Sequence, residues 1–104
     1  MKLKESNIQK TIIDYLRLKK YLVFKHRNVG IFRKDTGHYI PLPSGELGIS
    51  DIIACSPQGV FTAIEVKVKG NKPTENQLNF IAEVKKRNGV GMVAYSLDDV
   101  MEFI

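Results

Sequence analysis

A chain of 104 residues that is 43% hydrophobic and 26% charged has room for one modest core, and its composition is that of a folded soluble domain rather than a disordered or fibrous chain. The formal net charge of +5 is unevenly spread: residues 1–34 hold ten Lys or Arg against Glu5 and Asp14, a balance of +8, while the rest carry a balance of −3. The basic third suits a polyanionic partner, and no apolar run approaches the roughly 18–20 residues needed to span a bilayer, so no membrane partner is expected. The opening Met1-Lys2-Leu3-Lys4-Glu5 has no apolar signal core, which points to a cytoplasmic protein. The lone Cys55 excludes an internal disulfide and is expected to be a small buried hydrophobe.

Residues 6–20 predict a helix, with Ile8, Ile12, Tyr15 and Leu16 at helical spacing. Ser6-Asn7-Ile8-Gln9 matches a capping box that would start it at Ser6, although a start near Leu3 is also open. The β-branched and aromatic Tyr21-Leu22-Val23-Phe24 predicts a strand running toward Arg27. Within the glycine- and proline-rich stretch 28–48, Ile31-Phe32-Arg33 and His38-Tyr39-Ile40 flank Lys34-Asp35-Thr36-Gly37 as an irregular hairpin. Two further strands, residues 52–55 and 60–67, are joined across Ser56-Pro57-Gln58-Gly59, a four-residue turn that implies an antiparallel pair.

A polar loop over residues 69–73 leads to a second helix over residues 74–88. Thr74-Glu75-Asn76-Gln77 forms a capping box, Leu78, Ile81 and Val84 mark the expected buried side, and Gly89 is a stop. Residues 91–95 predict a last strand, with Tyr95 in the core, and residues 97–104 a short closing helix. The pattern is α/β in a single domain over residues 1–104, with a mixed β-sheet flanked by helices, because the strand after the second helix should run parallel to a neighbour.

Chemistry concentrates on the strand over residues 60–67. Strand side chains alternate, so Glu65 and Lys67 share one face and Ile64, Val66 and Val68 the other. Two charges on a central strand are destabilising unless they are paired or bind something. Asp51 follows Gly48-Ile49-Ser50 fourteen positions before Glu65, and the intervening turn can set it opposite or diagonal to Glu65 at the open end of the pair. Two carboxylates and an ammonium suit phosphoryl chemistry: hard divalent cations take oxygen ligands, and a nearby lysine can orient water or offset negative charge. Glycine at 48 would let backbone approach closely. His26 and His38 lack any metal-ligand spacing, so zinc is not expected.

Taken together, these residues resemble the PD-(D/E)XK nuclease superfamily and, within it, the VRR-NUC family. The resemblance spans nearly the whole chain, through Glu5 with Gln9, Arg27-Asn28 and Gly30, Gly48-Ile49-Ser50-Asp51, Glu65-Val66-Lys67, and Gln77. It implies a restriction-endonuclease-like αβββαβ core. It also implies a Mg²⁺ or Mn²⁺ ion on Asp51 and Glu65, with the Val66 carbonyl completing the set and Glu5 as a metal-binding or supporting carboxylate. Lys67 would position the attacking water, and Gln77 would orient Lys67, Glu65 or a phosphate. At Ser50 the family often has proline, a position that shapes the turn.

The implied activity is endonucleolytic hydrolysis of DNA to leave a 5′-phosphate. Branched DNA such as a four-way junction or flap is the expected substrate, and a homodimer the expected form, since a symmetric junction needs two cuts. Lys25, Arg27, Arg33, Lys34, Lys69 and Lys72 flank the site in sequence as candidate phosphate contacts, and region 29–45 could reach a branch point. Three alternatives remain open: a restriction-type sequence-specific nuclease, a nucleic-acid-binding module that keeps the fold without cutting, and a structural ion network of Asp51, Glu65 and Lys67.

Overall fold

The computed structural model describes residues 4–25, 31–40 and 48–104. In chain order its elements are α1 (Glu5–Leu18), β1 (Leu22–Lys25), β2 (Ile31–Arg33), β3 (His38–Ile40), β4 (Ile52–Cys55), β5 (Phe61–Val66), α2 (Glu75–Lys86), β6 (Val90–Ala94) and α3 (Leu97–Met101). Four strands form a sheet in the order β1-β4-β5-β6, with β2 and β3 as a separate antiparallel pair. Neighbours β1–β4 and β4–β5 are antiparallel, and β5–β6 is parallel, as expected for strands joined through a helix.

The sheet is covered on both faces. On one, Ile8, Ile12 and Leu16 of α1 and Val100 of α3 pack against Ile52, Ala54, Ile64, Val66, Met92 and Ala94. Those strand residues are register partners or lie two apart, so alternation alone puts them on one face. On the other, α2 lies over β5 and β6 through Ile81 and Val84. Gly91 permits that approach, since a Cβ there would meet Ile81 at 3.0 Å.

The hairpin of β4 and β5 closes through Ser56. Its backbone N–H donates to the Val60 carbonyl, while its carbonyl accepts from Gly59 N–H at 2.8 Å with Gly59 at φ +86°. At the start of α2 both capping-box bonds form: Gln77 N–H to Thr74 Oγ1 at 3.2 Å and Thr74 N–H to Gln77 Oε1 at 2.8 Å.

Several expectations need correction. Helix α1 begins at Glu5 with Lys4 as N-cap and no side-chain cap bond, so the box at Ser6 does not form. Leu78 is 49% exposed, whereas Ile81 and Val84 are buried and Gln77 is half-buried. Tyr95 sits beyond the end of β6 and is 37% exposed, not core. Cys55 is only half-buried, and α3 stops at Met101. His26, Arg27 and most of the stretch 41–48 lie outside the described residues. Among the described residues no helix is long and apolar enough to cross a membrane.

Candidate active site

Antiparallel register builds the site. Ile52 pairs with Ile64, and one step further sets Asp51 directly across from Glu65 at the end away from the turn. Strand β5 is flanked by β4 and β6, so Glu65 has no route to solvent along the sheet and is 0% exposed. Asp51 is half-buried, and its Oδ2 accepts from the Val66 N–H at 3.4 Å, the long end of hydrogen-bonding range. From the first turn of α1, Glu5 brings a third carboxylate: Glu5, Asp51 and Glu65 each offer an oxygen, all within 4.8 Å of one another.

Three carboxylates this close repel one another, and one is fully buried. Neither Glu65 oxygen has a hydrogen-bond donor among the described residues. Asp51 is near enough to share a hydrogen bond with Glu65, but only if one of the two carboxyls holds a proton. Burial first, then Asp51, pushes the Glu65 carboxyl up to about 9, with Lys67 pulling the other way. Glu5 is also raised, by burial and by the charge of Asp51, while Lys67 and a hydrogen bond from Gln9 oppose the rise.

Gln9, one helical turn after Glu5, is itself buried and is the polar neighbour that helps hold that carboxylate. Lys67 makes no salt bridge among the described residues, but its charge acts on both Glu5 and Glu65. The donor set fits a hard divalent cation: three carboxylates within reach of one point, one of them buried and without a donor among the described residues.

The surrounding backbone holds this set in place. Gly48 has φ +85°, and a Cβ there would overlap the Asn76 carbonyl, so the first turn of α2 packs onto the segment leading to Asp51. That contact brings Gln77 to the same end of the sheet, although its Oε1 is already committed to the Thr74 N–H. The Val66 side chain is buried in the core, and the Lys67 N–H donates to the Ala94 carbonyl at 3.0 Å, carrying the β5–β6 pairing up to the site. Ser50 is fully buried and its hydroxyl likewise has no partner among the described residues.

The basic residues divide. Lys25 is exposed at the end of β1, and Lys34 is exposed in the β2–β3 turn. Lys69 and Lys72 line a cavity of about 380 Å³ with Gly70, Asn71 and Tyr95. Arg33 lies in β2 with its side chain outside the described residues, as is all of Arg27. Tyr95, expected in the core, lies instead one register step past Ala94, beside Lys67.

The core α1-β1-β4-β5-α2-β6, with β2 and β3 inserted after its first strand, is a restriction-endonuclease-like αβββαβ fold around a mixed sheet. A solved structure described as a VRR_NUC domain matches it with a TM-score of 0.64 and 24% identity, over 94% of this chain and 90% of that one; at that identity the likeness speaks for the fold. The family model of the VRR-NUC domain matches residues 3–98, and the chain belongs to that nuclease-type family. Among curated proteins, none matched the sequence.

Proposed function

We propose that this domain is a divalent-cation-dependent endodeoxyribonuclease acting on branched DNA. The observation that carries the reading is Glu65: a fully buried carboxylate with no donor among the described residues, facing two other carboxylates, is a costly arrangement that a bound cation would offset. Glu5, Asp51 and Glu65, with the Val66 carbonyl, would hold Mg²⁺ or Mn²⁺. When bound, such an ion acidifies a coordinated water and stabilises charge developing on the phosphate.

The chain's own residues supply the rest. Lys67 leaves the strand on the face of Glu65 and orients the attacking water while offsetting the phosphate's added charge. Asp51 is steadied by the Val66 N–H, and Gln77 positions Lys67 or a phosphate oxygen from α2. Water adds to phosphorus as the bond to O3′ breaks. The products are a 5′-phosphate and a 3′-hydroxyl, one proton of the water passing through solvent to the leaving oxygen. Lys25, Arg27, Arg33, Lys34, Lys69 and Lys72 contact phosphates, and a homodimer makes the paired cuts of a four-way junction.

The test is incubation with labelled linear duplex, flap and four-way junction DNA in Mg²⁺, Mn²⁺ or EDTA, beside Lys67→Ala and Asp51→Asn. Cutting that needs the cation, favours the branched substrates and disappears in both variants is expected. Variants that cut as well as the parent, or no cutting of any substrate, would sink the enzymatic reading. Light scattering tests the dimer.

A further inference from the structure

One groove, next to Lys67 on the sheet, enters the chemistry above only through the phosphate contacts of Lys69 and Lys72. Lys67 follows Val66 and Tyr95 follows Ala94 on paired parallel strands, so both side chains leave the same face of the sheet, one strand spacing (about 4.8 Å) apart. Tyr95 is fixed at both ends: its N–H donates to Asp99 Oδ2 at 2.8 Å, and its hydroxyl to the Asn71 carbonyl at 3.1 Å. The loop it holds is itself closed by a turn, Asn71 N–H to the Val68 carbonyl at 3.0 Å. Lys69 and Lys72 stand exposed on that loop; among the described residues no salt bridge engages either, and no acidic side chain lines the cavity of about 380 Å³ between loop and ring. A pre-set, partly exposed aromatic ring bordered by two exposed ammonium groups is how proteins seat an unpaired nucleotide: the ring takes the base face and the cations take the phosphate.

We infer that this groove binds an unpaired nucleotide of DNA, its base stacked on Tyr95 and its phosphate between Lys69 and Lys72. The nuclease reading makes that nucleotide part of the strand being cut; binding in the groove does not depend on it. The position beside Lys67 gives the domain a reason to prefer junctions and flaps, where bases near the cut are free to unstack.

The experiment measures binding without cutting. A five-nucleotide oligothymidylate carrying one 2-aminopurine is titrated in EDTA against the parent, Tyr95→Phe, Tyr95→Leu and the double variant Lys69→Ala/Lys72→Ala. The parent should quench the 2-aminopurine, and Tyr95→Phe, which keeps the ring, should quench and bind within about threefold of it. Tyr95→Leu should bind about tenfold more weakly. The double variant, which leaves that one phosphate without its cations, should lower the slope of log affinity against log salt by about 0.7. No quenching by the parent, equal binding by Tyr95→Leu, or a loss in Tyr95→Phe as large as in Tyr95→Leu would each overturn the inference. Oligonucleotide binding that follows this pattern in a protein that cuts nothing leaves the groove standing and removes the nuclease; normal cutting with an indifferent Tyr95→Leu does the reverse.

Discussion

The two ends of the β4–β5 hairpin carry the same kind of residue in opposite conditions. At the turn end Ser56 is buried, and its Oγ accepts from the Gln58 and Val60 N–H groups at 3.2 and 3.0 Å. At the open end Ser50 and Glu65 are fully buried with side-chain oxygens that have no partner among the described residues. Buried polar groups that serve the fold are satisfied by it, and those left unsatisfied store a cost that something outside the fold can relieve. One hairpin thus has a satisfied end and an end whose buried side-chain oxygens have no partner among the described residues.

The largest effect expected from this contrast lies in turnover. Asp51→Asn, Glu65→Gln and Lys67→Ala should each lower metal-dependent cleavage by about a thousandfold, the scale seen when a preorganised charge-stabilising group is removed. Glu65→Gln should at the same time melt higher than the parent in EDTA, because it removes an unpaired buried carboxylate. A variant that lost both activity and stability would mean that Glu65 holds the fold together, erasing the difference between the ends.

Next comes the response to pH. Glu65 titrates near 9 in the folded protein, chiefly because it is buried, against an ordinary value of 4.5. Between those values the native state holds a proton that the unfolded chain releases, so stability falls as pH rises. In EDTA the parent should be most stable below about pH 4.5 in respect of this group and lose that contribution as pH climbs toward 9. Melting scans from pH 5 to 9 should show a downward slope for the parent that flattens in Glu65→Gln. Each kcal/mol lost corresponds to about 4–8 °C in a domain of this size. Parallel slopes would show that Glu65 does not carry the linkage.

Much of this was legible in the sequence because it rests on local rules. The turn residues Ser56-Pro57-Gln58-Gly59 dictate the hairpin, and the hairpin dictates that Asp51 meets Glu65. The Thr74 capping box and the bounds of β2, β3 and β4 came from residue chemistry in the same way. What failed depended on tertiary contacts. Ser6 offers the same cap signature as Thr74, yet α1 starts one residue before it, placing Glu5 in the first turn where the helix dipole favours a carboxylate.

Both Gln77 and Leu78 are at helical spacing from Ile81, and periodicity favours the leucine. The leucine is left exposed instead and the glutamine half-buried, on the turn that packs against Gly48. Tyr95 reads as core by type but lies one residue past the strand, where a loop rather than a helix meets it.

A smaller effect follows at Gly48. Alanine there must adopt a left-handed backbone and overlap the Asn76 carbonyl. The expected loss is about 1–3 kcal/mol of stability, with turnover falling too as α2 and the Asp51 segment part. If Gly48→Ala melted and cut like the parent, the Asn76 contact would not position the open end.

The smallest effects test the comparison most directly, because one substitution at its two ends should have opposite signs. Ser56→Ala strands the Gln58 and Val60 N–H groups and should cost about 1–3 kcal/mol, a lost donor–acceptor pair being worth less than the desolvation left behind. Ser50→Ala removes a buried hydroxyl that has no partner among the described residues and should stabilise the metal-free protein by up to about 1 kcal/mol. Denaturant unfolding of both variants in EDTA, with slopes checked against the parent, gives the two signs. If both serines destabilise alike when replaced, the open end is as well satisfied as the turn end, and the orphaned Glu65 stands alone as the mark of a ligand site.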